Sequence, residues 1–169
     1  MKRNPVVAAA AALTIAAVVA AAWFGWSWYS AAHSSSLVYD RTRDTMLQAA
    51  DQAVINFNTL DYKSPQTGLQ LWLTSSTGSL HSQISQEMST EIKTIQQRKT
   101  ITTARILDAA VTQLDTDAGT GTVMLAVAVT VNESGSSPFT RQESEVGTLT
   151  DTSSGWKLSG LSYPSGSAS

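Results

Sequence analysis

The sequence predicts a membrane-anchored α+β protein: one N-terminal transmembrane helix, then about three helices packed on a curved four-stranded antiparallel sheet. Three observations lead there. Residues 4–36 carry no acidic or basic side chain apart from His33, and their first part is alanine and valine. The next sixty or so residues repeat apolar side chains at steps of three and four, the period of a helix. From Thr100 onward the pattern turns to β-branched residues alternating with small ones, broken by Gly-, Asp- and Ser-rich turns. Helices first and antiparallel strands afterwards make an α+β domain with the helices on one face of the sheet.

The anchor is predicted at residues 6–29. At ~1.5 Å per residue it crosses a hydrocarbon core of ~30 Å with little room to spare. Its strongly apolar members, Val6, Val7, Leu13, Ile15, Val18, Val19 and Phe24, each favour insertion by roughly 0.3–0.6 kcal/mol, while the alanines are near neutral. Trp23, Trp26, Trp28 and Tyr29 form an interfacial aromatic belt. Lys2 and Arg3, with the small residues Ser30, Ala31 and Ala32, also fit a cleavable signal peptide. The apolar stretch exceeds the ~7–15 residues usual there, and the belt has no place in one, so the helix is expected to be retained. Residues 1–5 are then cytoplasmic by the positive-inside rule, and everything after Tyr29 is extracytoplasmic. Residues 30–38 form a tether.

About 135 residues remain beyond the anchor, enough for one core-bearing domain, predicted at 39–164, and too few for two. Of eleven basic residues Lys2 and Arg3 precede the anchor, leaving nine against thirteen acidic ones. A net acidic domain without a basic stripe excludes nucleic acid as a partner. The chain has no cysteine, which removes disulfides, thiolate metal sites and a cysteine nucleophile at once.

Within the domain, Leu47, Ala50, Val54 and Phe57, backed by Met46 and Ala53, mark the first amphipathic helix, with Gln48, Asp51 and Gln52 opposite. Asn58, Thr59 and Asp61 end it. Lys63-Ser64-Pro65 permits a fresh start with proline in the first turn, where a missing N–H costs nothing, and a short helix follows through Leu69, Leu71, Trp72 and Leu73. After the Thr77-Gly78 break, Leu80, Ile84, Met88, Ile92 and Ile95 form a third stripe, with Arg98 and Lys99 at its carboxyl end complementing the helix dipole. Four strands are predicted at 101–114, 122–131, 139–150 and 156–163, a meander joined by short turns. The second has a valine face, Val123, Val127, Val129 and Val131 together with Leu125. Residues 165–169 read as a disordered tail.

A single N-terminal span, a helix ending in Leu60-Asp61-Tyr62, the Thr77-Gly78 element opening the next helix, a four-strand meander and the closing Gly155-Trp156-Lys157-Leu158 together resemble the actinobacterial Mce-associated membrane protein family, over nearly the whole chain. The sequence departs from that pattern at Leu80, where an aromatic residue is expected. The resemblance implies a cystatin-like roll of the nuclear-transport-factor-2 type, similar to the outer domain of a bitopic scaffold component of type IV secretion systems. It also implies an accessory role beside Mce lipid importers, with other membrane subunits of a lipid transport complex as partners.

Chemistry-bearing residues are sparse. His81 could serve as a base inside the cone between sheet and helices, though an ordinary half-exposed helix histidine explains it; His33 lies in the tether. Asp61 and Tyr62 sit at a helix end, where aspartate commonly caps the next turn. Asp108 interrupts the first strand and is expected in solvent. Asp115 and Asp117 have a calcium-loop spacing without the ligands that complete a cage, so a hairpin turn accounts for them. Arg141, Glu143 and Glu145 alternate along the third strand, share one face, and are expected to pair in solvent. Neither histidine has an orienting partner and no nucleophile elbow occurs. The chain is therefore expected to be noncatalytic, without metal or cofactor. Its candidate pocket or interface residues are Asp61, Tyr62, Trp72, His81 and Trp156. The alternative to a scaffold is a tethered module holding an apolar small molecule or lipid in the cone, lined by Trp72, Trp156 and the valine face. Trp156, opening the last strand, is expected to be buried.

Overall fold

A computed structural model describes residues 5–32 and 35–164. Two compact units divide at Arg41/Thr42. The first contains α1 (Pro5–Ala32). Its apolar residues are spread around the whole circumference, and Ile15, Val18, Val19, Trp23, Phe24, Trp26, Trp28 and Tyr29 are all more than 60% exposed. Among the described residues no helix is long and apolar enough to cross a membrane. The side chains described in α1 begin at Thr14, so residues 6–13, which carry much of the expected span's apolar weight, lie outside that statement. Residues 30–32 of the expected tether end α1 and residues 35–38 begin α2 (Ser35–Asn58), so its described residues are helical. His33 and the tail at 165–169 fall outside the described residues.

The second unit holds the remainder of α2, then β1 (Leu60–Asp61), α3 (Pro65–Ser75), α4 (Gly78–Arg98), β2 (Thr100–Asp115), β3 (Thr120–Glu133), β4 (Phe139–Thr152) and β5 (Gly155–Ser162). The sheet is an antiparallel meander in the order β1-β2-β3-β4-β5. Five strands replace the four expected. Leu60 and Asp61 pair with Thr102 and Ile101, and a two-residue strand is too short to leave a period in the sequence. Helix starts follow the local chemistry: Ser64 precedes α3 with Pro65 in its first turn, and Gly78 opens α4 at φ +61°. Lys99 ends α4 in the left-handed region at φ 51°, its N–H donating to the Ile95 carbonyl.

The core lies between α2 and one face of the sheet. Met46, Ala50, Ala53 and Val54 of α2 meet Val123, Leu125, Val127 and Val129 of β3, Leu149 of β4 and Leu158 of β5. Val123, Leu125, Val127 and Val129 of the valine face are thus covered by helix side chains, while Val131 at its end is only partly buried. Trp156 is half-buried at the margin of this cluster, not enclosed between sheet and helices as expected. Leu158, two residues further into β5, takes the enclosed place at 0% exposure.

Candidate functional site

Pairing register decides which face of β4 meets the helices. Leu125 stands opposite Glu145, Val127 opposite Glu143 and Val129 opposite Arg141. The three charged residues therefore share the face of the core valines, and solvent is not their common environment. Glu145 is fully buried. Its Oε1 accepts a 2.8 Å hydrogen bond from Asn58 Nδ2 at the end of α2, while Oε2 has no protein partner. Burial pushes the Glu145 carboxyl above its ordinary range. The Asn58 bond opposes that shift, Glu143 adds to it and Arg141 counters it. The Tyr163 phenol is raised in turn by desolvation and by the nearby Glu145 and Glu143 carboxylates. Arg141 Nη2 and Glu143 Oε1 stand 3.4 Å apart.

Beyond this polar row, at the open end of the sheet, lies a cavity of about 310 Å³. Leu60, Trp72, Ile95 and Val131 form its apolar walls, and Arg98 and Arg141 supply cations. A second cavity of about 300 Å³ runs toward Leu80, Ile84 and Leu161, and the two share Trp72 and Glu91 as a common wall. Trp72 is fixed there. Its Nε1–H donates to the Asn56 carbonyl at 2.9 Å and its ring stacks on Phe57 at 5.3 Å between centroids, so its free edge is presented to both spaces.

The other candidates do not converge on this place. His81 is exposed, and its Nδ1 lies 3.0 Å from the Leu73 carbonyl. A carbonyl only accepts, so Nδ1 carries the proton and ties the start of α4 to the end of α3. Asp61 is half-buried and its Oδ1 accepts from the Lys63 N–H at 2.9 Å, a local cap before α3. Tyr62 is half-buried under the Lys63 ammonium, 5.9 Å from its ring centroid. Exposed Asp108 accepts from its neighbour Ala109 N–H. Asp115 closes the β2–β3 hairpin by accepting from the N–H groups of Asp117 and Ala118. Of the five site candidates only Trp72 lines these cavities. Glu145, Asn58, Arg98 and Arg141 were missed as a site. The available signal was parity: Glu145, Gly147 and Leu149 occupy alternate positions of one strand, so the face holding Leu149 holds Glu145 as well. Among the described residues no group of three or more His, Asp or Glu is placed to hold a metal.

A family model described as "Uncharacterized protein Rv1363c/MT1408-like" matches residues 4–164. No curated protein matches in sequence. Among solved structures, an IcmL-like type IV secretion system protein from Legionella pneumophila superposes with TM-score 0.57 at 16% identity, over 71% of this chain and 90% of that one. The periplasmic domain of DotI gives 0.56 at 19%, over 77% and 94%. The VirB8 protein of Agrobacterium tumefaciens gives 0.58 at 11%, over 76% and 96%. At these identities the likeness is one of fold.

Proposed function

The chain belongs to the Rv1363c/MT1408-like family, and we propose that it is a noncatalytic, membrane-anchored accessory subunit that stabilises or organises an Mce-type lipid importer on the outer face of the membrane. In this reading α1 spans the bilayer through residues 6–29 with its N-terminus in the cytoplasm. Its partners are other membrane subunits of the complex.

The observation that carries the proposal is the shared fold. The second unit has the architecture of a periplasmic DotI domain and of an IcmL-like secretion-system protein over nine-tenths or more of their length. The large apolar side chains of α1 from Ile15 to Tyr29 are exposed, which supports membrane residence, since such a surface in water is costly. Small residues in α1, the runs at 8–12 and 20–22, suit close helix–helix approach in a bilayer. The Mce assignment rests on the sequence resemblance. The noncatalytic assignment is supported by the local structural roles of His81, Asp61 and Asp108.

Co-purification of the full-length protein from native membranes, with partners identified by mass spectrometry, tests this directly. Importer subunits should be recovered, and deleting the gene should lower their abundance. Tethering raises the effective concentration of the domain at its partner toward the millimolar range. A secreted form lacking residues 1–30 that fully restored lipid uptake would therefore refute the proposal.

A further inference from the structure

The geometry points to a ligand site: we propose that the groove between α3, α4 and the open end of the sheet binds a single-chain anionic amphiphile, its chain along Trp72 and its head group held by Arg98 and Arg141. The volume and walls fit a chain. Two adjoining cavities of about 310 and 300 Å³ reach the range of small-molecule pockets, about 300–1,000 Å³. Leu60, Ile95 and Val131 line one of the two cavities that Trp72 joins, and Leu80, Ile84 and Leu161 line the other. The core valines are packed against α2, so the space between sheet and α2 is filled, and this groove offers apolar walls of the volume a chain needs.

Charge fixes the ligand class and its direction. Arg98, in the last turn of α4, has no ion-pair partner among the described residues. Arg141 reaches only Glu143, at 3.4 Å, which is long for a charge-assisted bond and leaves most of its five donors unused. Two guanidiniums opening onto one cavity suit a carboxylate or phosphate. The acidic wall residues are Glu87, on the second cavity, and Glu91, on both, which precedes Arg98 by seven positions, roughly 10 Å along the helix at ~1.5 Å per residue. Glu91 repels an anion from the middle of the groove and favours the head at the Arg98 end, with the chain running past Trp72 toward Ile84.

The site does not depend on the scaffold role, and its test is separable from complex formation. Full-length protein in phosphatidylcholine nanodiscs is photolabelled with palmitate carrying a diazirine at its chain end, and the labelled peptides are mapped. Label should fall in the peptides containing Trp72 and Ile84. Charge-assisted bonds of this kind contribute about tenfold or more in affinity each, so Arg98→Gln with Arg141→Gln should lower labelling at limiting probe by at least about tenfold. Both side chains are exposed, and an unchanged melting temperature confirms folding. Thr94→Trp, which fills the groove and keeps both charges, should abolish labelling independently. Hexadecanol, with the same chain and no charge, should compete at least about tenfold more weakly than palmitate. Stronger competition by lysophosphatidate than by palmitate assigns the head group to a phospholipid, and the reverse assigns it to a free fatty acid. Label confined to residues 5–32, labelling unaffected by the variants, or equal competition by hexadecanol overturns the proposal.

Discussion

Asn58 donates a 2.8 Å hydrogen bond to the Glu145 carboxylate, joining the end of α2 to β4 across 87 positions of sequence. The contact makes α2 more than an apolar lid. Its last side chain meets the one acidic group that the sheet carries into the core, and the second oxygen of that group has no protein partner.

Glu145→Gln should stabilise the protein at neutral pH and flatten its pH dependence. The folded-state pKa is raised above the ordinary 4.5, chiefly by burial. The folded protein therefore holds this proton more tightly than the unfolded chain, and stability falls as pH rises from about the unfolded value through the folded one. The introduced amide cannot ionise, and its carbonyl still accepts from Asn58. Thermal melts at pH 4 and pH 7 should show the gain at pH 7 and little change at pH 4; an equal loss at both would contradict it.

Asn58→Ala should be worse than its size suggests. It leaves both carboxylate oxygens buried and unpaired, a cost of about 1–3 kcal/mol. Combined with Glu145→Gln the penalty should be partly relieved, and a double-mutant cycle by urea denaturation measures the coupling. Strict additivity would show that the contact contributes nothing.

Leu158→Ala should cost about 2–5 kcal/mol, the range for a fully buried leucine. Trp156→Ala should cost less, because Trp156 is only half-buried and its removed volume opens to solvent instead of leaving an enclosed cavity. Denaturation midpoints of the two variants, compared at equal m-value, check the order.

Lys99→Gly should stabilise the domain by roughly 0.5–1 kcal/mol. Lys99 adopts φ 51° at the carboxyl end of α4, a conformation that costs a side-chain-bearing residue about 1–2 kcal/mol and glycine almost nothing. Part of that gain is lost to the greater entropy of glycine in the unfolded chain. A lower melting temperature would count against the assigned geometry.

His81→Ala should leave complementation intact and lower stability by no more than about 1 kcal/mol, the value of one net hydrogen bond. A well-folded variant that abolished activity would instead give His81 a functional role and count against the noncatalytic reading.

Local chemistry was sufficient for the division into helices and strands. Ser64-Pro65 and Thr77-Gly78 begin α3 and α4 where they stand in the sequence, and the Asp115 and Gly155 turns separate the strands that the alternation marks. These are properties of residues a few positions apart. The same holds for the face on which Val123, Leu125, Val127 and Val129 lie, since the side-chain period of a strand is two. What alternation leaves open is which face a distant helix will cover. Arg141, Glu143 and Glu145 fall on one face by sequence alone, yet only the pairing of β4 with β3 and the arrival of Asn58 turn that face inward and bury Glu145. The two-residue β1, the half-exposure of Trp156 and the groove between Trp72, Arg98 and Arg141 are likewise products of long-range packing. They bring together side chains from separate elements, and no periodicity within a single element encodes them.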